Sequence, residues 1–322
     1  MLNENKLFQI PGDLVFATII RRPSRQNKSP YVADINVDGR ETLCHVPAQN
    51  CAGKCCSGAK ALVRVATKAN GKPVGPNAIG GKFKMLKCEY IMQLIWFNDT
   101  WTCAHPTLGE KLAYELIIQN KIPELRPIKS FQKEVSKYYN TDMRIDIVAT
   151  HDDDSKTMIE VKTPIDADTE LDDKMKKITK FDKENTCSIF PLGKRNQIGP
   201  NKKKVVSARA IRHIHELSQV AKSKKNDPNA PSTVVLFIVA RADVKNFYIN
   251  HWGCPILAEY VEQAKKDGVT FIARQIGWND DGSAFDLGNI PILEKINVTI
   301  EDLSNRVTIL EKQVNTLLEK KI

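Results

Sequence analysis

The hydrophobic pattern of the chain changes near residue 105, and this change limits the fold to two differently built domains. Residues 13–103 contain short apolar runs rich in β-branched and aromatic residues, such as LVFATIIRR and FKMLKCEYIMQLIWFN. Dipeptides typical of turns separate the runs, including Asp38-Gly39 and Asn70-Gly71. Farther along, helical and strand patterns alternate. We therefore predict a multidomain α+β or α/β protein, with a small β-barrel over residues 1–105 and a mixed-sheet domain over residues 106–292.

The second domain is predicted to contain helices that alternate with strands. Its first helix has Thr107 as a candidate N-cap and Glu110 three residues later, which is the spacing of a capping box. Residues 165–204 are polar and charged, with several Gly and Pro residues, and indicate a long loop or a mobile lid. The remaining segments are a helix at 207–224, a strand buried on both faces at 232–243, a helix ending at Gly268 and a strand at 269–278.

Residues 143–164 read MRIDIVATHDDDSKTMIEVKTP and place charges inside two apolar strands of a predicted hairpin. Glu160 and Lys162 point the same way because side chains alternate along a strand, and a turn near residues 152–155 brings Asp146 alongside them. Unpaired buried charges are costly, so such groups are retained when they pair or hold a metal. Two carboxylates favour a hard divalent cation, Mg²⁺ or Mn²⁺. Ordinary solvated salt bridges are the alternative interpretation.

The order of elements around the hairpin favours the catalytic interpretation. A helix precedes the hairpin, and a helix, a strand, a helix and a strand follow it. This order resembles the α-β-β-β-α-β core of the PD-(D/E)xK nucleases, with Asp146 as the first acid and Glu160-Val161-Lys162 as the E-x-K. In such a site the cation polarises a phosphodiester and lowers the pKa of a bound water, while Lys162 orients that water.

A wider resemblance rests on stretches that occur in the order found in the sugar fermentation stimulation protein (SfsA) family. These stretches are FQKEVSKYYNTDMRIDIV, IEVKT, IFP, SARAIRHIHELSQVA and GVTFIARQI. The likeness covers roughly residues 13–292 and is strongest over 130–164 and 205–280. It implies an N-terminal OB-fold followed by a PD-(D/E)xK nuclease-like domain, and a nucleic-acid-binding or nuclease activity.

The resemblance also implies roles for individual residues. It implies a metal and catalytic group of four side chains: Glu134, Asp146, Glu160 and Lys162. Arg144 stands in the family's Arg-Ile-Asp, and Arg209 and His213 match basic positions on a helix that faces the phosphate. The chain departs from the family at several positions, having Leu192 for an Asp, Ala208 for a Glu, Ile211 for a Gln and Ala48-Gln49-Asn50 for Asn-Thr-Gly.

The net charge of +10 favours a polyanionic partner. Basic residues that follow the first barrel strand, Arg21, Arg22 and Arg25, are candidate nucleic-acid contacts. The run Lys202, Lys203 and Lys204 is a second candidate. We expect nucleic acid as the partner, DNA before RNA. Solvated loops without a partner would account for the same residues.

The last thirty residues carry a heptad pattern that predicts a coiled-coil helix over 293–322. Leucine, isoleucine and valine alternate at spacings of three and four: Leu293, Ile296, Ile300, Leu303, Val307, Leu310, Val314 and Leu317. β-Branched residues at a positions with leucine at d positions favour a parallel dimer, and charged g and e positions could favour a trimer. A single amphipathic helix packed on the body is the alternative.

The sequence also argues against several classes of protein. No window approaches the roughly 18 apolar residues of a membrane span, and the N-terminus lacks the pattern of a secretion signal. We therefore expect a cytoplasmic or nuclear protein with reduced cysteines and no membrane partner. Motifs for nucleotide hydrolysis, serine hydrolysis and zinc proteolysis are missing. The main hypothesis is a Mg²⁺-dependent nuclease. The alternatives are a non-catalytic DNA-binding or regulatory protein on a nuclease scaffold, and an oligomeric adaptor.

Overall fold

The computed structural model describes residues 6–48, 53–81, 84–171 and 183–293, together with Asp173 and Lys176. The chain divides into two compact units, residues 1–292 and 293–322. The predicted coiled coil lies outside the described residues apart from Leu293, and the predicted domain boundary at residue 105 stays a prediction. Across the described ranges, no helix has the length and hydrophobicity needed to cross a bilayer.

The N-terminal region is built from short strands joined by tight turns. These strands are β1 (Lys6–Gln9), β2 (Leu14–Arg21), β3 (Val32–Val37), β4 (Arg40–His45), β5 (Lys60–Val65), β6 (Ile79–Gly80), β7 (Met85–Leu86), β8 (Tyr90–Phe97) and β9 (Thr100–Cys103). Five of them form a closed cycle in the order β2-β3-β4-β8-β5, in which the β4–β8 pair is parallel and the others are antiparallel. Small and β-branched side chains such as Ala33, Ile35 and Val63 fill the interior. The prediction of a small barrel is confirmed.

The C-terminal region is a mixed sheet with helices on both faces. Its strands are β10 (Ile128–Ser136), β11 (Arg144–His151), β12 (Lys156–Lys162), β13 (Asp166–Ala167), β14 (Cys187–Phe190), β15 (Gln197–Ile198), β16 (Lys204–Val205), β17 (Ser232–Val239), β18 (Asn246–Ile249), β19 (Thr270–Trp278), β20 (Ser283–Asn289) and β21 (Ile292–Leu293). Its described helices are α1 (Thr107–Ile118), α2 (Ala208–Ser223) and α3 (Pro255–Asp267).

The main sheet has the strand order β1-β20-β19-β17-β12-β11-β10. Strands β12, β17 and β19 are parallel neighbours, and the other pairs are antiparallel. Alternate residues of β17 face different cores, because Val235 and Phe237 pack with α2 and α3 whereas Leu236 and Ile238 pack with α1. The continuous apolar run in β17 is therefore buried on both faces, as predicted.

Two details of the second domain differ from the sequence prediction. Residues 187–190, expected in a loop, form strand β14, because they pair in parallel with β18, a strand far along the chain. Thr107 does not cap α1, since the cap position is occupied by Pro106 and no side chain caps the helix. The Thr107 hydroxyl instead lies 2.9 Å from His105 Nδ1.

Helix α1 begins against the end of strand β12 because of a glycine in its first turn. A Cβ atom at Gly109 would overlap the Thr163 hydroxyl, so only glycine allows this approach. The contact brings the neighbouring Glu110 to the carboxyl end of β12, where the charged residues of the hairpin lie.

Candidate metal centre

The predicted hairpin is present and brings its two acids together. Strands β11 and β12 are antiparallel, and their last paired residues before the charged end are Ile147 and Ile159. Asp146, just before Ile147, and Glu160, just after Ile159, lie next to this pair. Their exposed surface fractions are 8 % and 1 %. The Val161 amide donates a 2.7 Å hydrogen bond to Asp146 Oδ2. The hairpin thus holds two buried carboxylates side by side at the end of β12.

Glu160 is only partly satisfied by its neighbours. Lys162 Nζ donates to its Oε1 atom, and His213 Nδ1 lies 2.6 Å from the same oxygen. Burial opposes ionisation of Glu160, but the hydrogen bond from His213 and the charge of Lys162 outweigh it and lower its pKa. The other oxygen, Oε2, is buried and receives no hydrogen bond from any residue that the structure describes. An orphaned carboxylate oxygen is costly, so this atom is suited to a further ligand.

A third and a fourth acid approach Asp146 from neighbouring elements. Carboxylate oxygens of Glu110, Glu134 and Asp146 all lie within 4.8 Å of one another. Glu134 lies on the edge strand β10 in the left-handed region, at φ 56°, and forms an ion pair with the exposed Arg144. Burial first, and then the nearby charge of Glu160, raises the pKa of Asp146 to about 6. We name Glu110, Glu134, Asp146 and Glu160 the acid cluster.

Glu110 is the member of the acid cluster that sequence reasoning missed. Its position in the first turn of α1 fits a capping box equally well, and that interpretation proved wrong. The available signal was an acid at the start of the helix that precedes the hairpin. The close packing at Gly109 that directs Glu110 to the site is a long-range contact.

His213 lies in a different environment from the predicted phosphate-facing surface. Only 1 % of its surface is exposed, and its Nδ1 faces Glu160. The prediction of a phosphate contact at His213 is therefore wrong, because α2 turns this residue toward the core. Arg209, one turn earlier, is exposed, and its Nε lies 3.4 Å from His213 Nε2. His213 thus positions Glu160, and Arg209 remains the phosphate candidate of this helix.

The predicted lysine run lies close to the start of α2. Lys202, Lys203 and Lys204 are all exposed. The Ala208 amide at the beginning of α2 donates a 2.8 Å hydrogen bond to Gln197 Oε1, which ties the lysine-bearing segment to this helix. The lysines therefore lie on the segment that leads into α2, five to seven residues before the exposed Arg209 in the sequence.

The predicted arginines of the barrel differ in exposure and hydrogen bonding. Arg21 and Arg25 are exposed. The guanidinium of Arg22 donates hydrogen bonds to the carbonyls of Pro30 and Ala48 at 2.7 and 2.8 Å, so it holds its own loop together. Its predicted role in nucleic-acid binding is weakened because these bonds occupy two of its donors.

The barrel also presents an aromatic and basic patch that sequence reasoning missed. Phe16 on β2 is 47 % exposed, and Lys60 on β5 places its ammonium 4.7 Å from the centre of that ring. The same ammonium lies 5.5 Å from the ring of Trp96 on β8. The three residues come from neighbouring strands, so only the strand pairing reveals the patch.

Comparisons with known proteins agree with this architecture. Residues 204–282 match the sequence model of the sugar fermentation stimulation protein RE domain. Two sugar fermentation stimulation protein homologues, from Bartonella tribocorum and Bartonella henselae, are each 25 % identical over 57 % of this chain. The matches cover 62 % and 63 % of those relatives, so the chain spans less than two thirds of their length.

A solved structure, described as that of Pyrococcus furiosus SfsA in complex with Ca²⁺, has the same fold. The TM-score is 0.63 at 18 % sequence identity, and the superposition covers 90 % of this chain and 99 % of the other. The family resemblance predicted from the sequence is confirmed. The chain is similar to the sugar fermentation stimulation protein family in sequence over residues 204–282 and in fold over most of its length.

Proposed function

We propose that the protein is a metal-dependent nuclease that hydrolyses phosphodiester bonds, with DNA favoured over RNA as the substrate. The observation that carries this proposal is the orphaned Glu160 oxygen beside the buried carboxylate of Asp146. The arrangement of α1, β10, β11, β12, α2 and β17 resembles the PD-(D/E)xK core. In that core the acids of the hairpin hold the metal.

The acid cluster fits a hard divalent cation. All four side chains offer carboxylate oxygens, the ligands that Mg²⁺ and Mn²⁺ prefer. A cation would satisfy Glu160 Oε2 and would oppose both the burial and the charge of Glu160 that raise the pKa of Asp146. The similar Pyrococcus furiosus structure is described as a Ca²⁺ complex, and this supports the proposal of a divalent-cation site in the present chain. Asp146 and Glu160 would hold the ion, with Glu134 and Glu110 completing the ligand set.

Each side chain of the site has a chemical task in phosphodiester hydrolysis. When bound, the cation supplies Lewis-acid polarisation of the phosphate and a lowered pKa for bound water. Lys162, anchored on Glu160 Oε1, orients the attacking water and offsets negative charge on the pentacovalent phosphate. His213 fixes the orientation of Glu160 from its buried position. Arg209 and Arg144 lie at the surface, where they contact neighbouring phosphates.

In this proposal the barrel binds the nucleic acid. A closed five-stranded barrel with one parallel pair resembles an OB-fold, which binds single strands with basic grooves and aromatic platforms. The patch of Phe16, Lys60 and Trp96 offers both features on one surface. Arg21 and Arg25 extend the positive charge.

Self-association through residues 293–322 is a separate proposal, based on the heptad pattern alone. We expect the full chain to sediment as a dimer or trimer and a chain that ends at Pro291 to sediment as a monomer. An oligomer that persists after the truncation contradicts this assignment. Two active sites in one oligomer could cut both strands of a duplex.

A cleavage assay tests the proposed function. Labelled single- and double-stranded DNA and RNA are incubated with the chain in the presence of Mg²⁺, Mn²⁺ or a chelator. Asp146→Asn and Glu160→Gln are expected to lose activity by a factor on the order of 10²–10³, because each removes a negative metal ligand. Asp152→Asn, on the exposed turn of the same hairpin, is the matched control and retains activity.

The alternative is a non-catalytic binding protein on the same scaffold. Leu192, Ala208 and Ile211, which replace polar residues of the family, favour this alternative. Nucleic-acid binding that needs no metal, without cleavage and unchanged in Asp146→Asn, contradicts the nuclease proposal. Metal-dependent cleavage that is lost in both acid variants excludes the scaffold.

A further inference from the structure

A lysine on the edge strand is held over a pair of aromatic rings beside the acid cluster. Lys133 Nζ lies 3.9 Å from the centre of the Tyr114 ring and 5.6 Å from that of Phe131. The two rings are 6.0 Å apart with an interplanar angle of 19°, so they stack. The negative face of an aromatic ring attracts a cation that lies over it. The rings therefore keep the ammonium of a flexible side chain in one place.

The sequence positions of these residues place the lysine next to the acids. Tyr114 lies one helical turn after Glu110 on α1, so both side chains emerge from the same face of the helix. Lys133 precedes Glu134 on β10 and pairs across the strands with Ile147, the neighbour of Asp146. Burial raises the pKa of Tyr114, and the negative charges of Glu110 and Asp146 add to this effect.

The positive charge of Lys133 is not neutralised by an ion pair with another described residue. Lys133 is exposed, and no carboxylate of the described ranges forms an ion pair with it. Lys129, four residues earlier on the same strand, is paired with Asp154 at 3.2 Å. Both lysines are exposed and lie on β10. Lys129 is neutralised by Asp154, whereas Lys133 lies beside the candidate metal centre without an ion pair to another described residue.

We propose that Lys133 binds a backbone phosphate of the nucleic acid next to the scissile one, with Tyr114 and Phe131 fixing its ammonium. This inference rests on the proposed nuclease function and deepens it by adding a substrate contact on the α1 side of the acid cluster. Arg209 lies on α2, so the substrate backbone would pass from one helix to the other across the centre. The rings act through the lysine and are positioning residues.

The test measures binding of a labelled single-stranded oligodeoxynucleotide to the full chain in a chelator, where cleavage does not contribute. Lys133→Gln is compared with Lys129→Gln at several salt concentrations. Each phosphate contact on a single strand changes the slope of log affinity against log salt concentration by about 0.7. Removing one contact therefore lowers the affinity by roughly fivefold near 0.1 M salt. We expect this loss and this change of slope for Lys133→Gln and less than about a twofold change for Lys129→Gln.

Variants of Tyr114 and Lys133 test whether affinity depends on the ring holding the Lys133 ammonium in place or only on the positive charge. Tyr114→Phe keeps the ring and is expected to bind like the wild type, as is Lys133→Arg, which keeps the charge. Tyr114→Leu releases the ammonium and is expected to lose part of the affinity, and this loss disappears in the Lys133→Gln background. Circular dichroism and denaturant midpoints show that each variant is folded.

The outcomes distinguish this inference from the proposed function. Equal effects of Lys133→Gln and Lys129→Gln, in a wild type that binds and cleaves DNA, overturn the inference and leave the nuclease proposal standing. A wild type that neither binds nor cleaves nucleic acid overturns both. A full effect in Tyr114→Phe overturns the role of the ring, because the hydroxyl and not the aromatic face would then hold the lysine.

Discussion

We compare two groups of buried charges among the described residues, because the partners available to each group differ. The first is the acid cluster at the end of β12. The second, which we name the ion-pair cluster, consists of Lys54, Asp166, Glu170, Arg241 and Asp243. Comparing the two shows which buried charges serve the fold and which are open to a ligand.

The ion-pair cluster satisfies its strongest charges internally. Arg241 is fully buried, and its guanidinium donates to both oxygens of Asp243 at 2.7 and 2.6 Å and to Glu170 at 2.5 Å. Lys54, from the barrel, contacts the other oxygen of Glu170 at 2.6 Å. Asp166, the least satisfied member, still lies 3.9 Å from the Lys54 ammonium. This network links the barrel to the second domain.

The acid cluster has fewer cations and an incomplete set of partners. Glu160 shares one oxygen with Lys162 and His213, and no residue in the described ranges hydrogen-bonds its other oxygen. Among the described residues, the Val161 amide donates to Asp146, Glu110 and Glu134 offer carboxylate oxygens within 4.8 Å of it, and the charge of Glu160 lies nearby. Both clusters bury charge, and each contains a buried carboxylate oxygen that no described residue hydrogen-bonds, Glu160 Oε2 and Asp166 Oδ1. The acid cluster differs because four carboxylates converge there with fewer cations, and this imbalance leaves it open to a divalent cation.

The largest expected effect on stability is in the ion-pair cluster. Arg241→Met should lower the free energy of unfolding by about 3–5 kcal/mol, because it leaves buried carboxylates without their cation. The measurement is urea denaturation beside Arg212→Met, a control on α2 whose side chain is 63 % exposed. If the two variants are equally stable, the ion-pair cluster does not hold the fold together.

In the metal-free protein, the acid cluster should lower the free energy of unfolding by an amount that depends on pH. The pKa of Asp146 is raised to about 6, so its contribution to stability is complete below its unfolded pKa and is lost as the pH rises through about 6. Asp146→Asn removes this dependence. Relative to the wild type, the variant should gain on the order of 2–3 kcal/mol between about pH 4 and pH 7.5.

Urea denaturation of both proteins in a chelator measures this difference. The raised pKa values of Asp166 and Asp168 are present in both proteins and therefore cancel in the comparison. A stability difference that stays constant with pH would mean that Asp146 is not desolvated beside other acids.

A smaller effect is expected where α1 meets β12. Gly109→Ala should cost about 1–3 kcal/mol of stability, because its methyl group collides with Thr163 and moves Glu110 away from the cluster. Gly75→Ala is the control, since a Cβ atom there meets no neighbour and the backbone needs no positive φ. Both variants are assayed by urea denaturation and by Mn²⁺ affinity. Unchanged Mn²⁺ affinity in a folded Gly109→Ala protein would exclude Glu110 from the ligand set.

Local patterns predicted the parts of the fold that local forces determine. The hairpin with Asp146 and Glu160, the barrel strands and the helix ending at Gly268 follow from alternation, turn residues and a glycine at φ 106°. Strand β14 escaped prediction because it is only four residues long and pairs with a strand far along the chain. The burial of His213 and the position of Glu110 also depend on which helix faces packs against the sheet.

The most direct test of the central claim is a calorimetric titration of Mn²⁺ into the wild type, Glu160→Gln and the exposed control Asp152→Asn. The acid cluster is expected to bind Mn²⁺ in the wild type and in Asp152→Asn. Loss of a charged ligand in Glu160→Gln should weaken binding by at least about tenfold. A wild type that shows no binding, or a Glu160→Gln protein that binds as tightly as the wild type, would contradict the account.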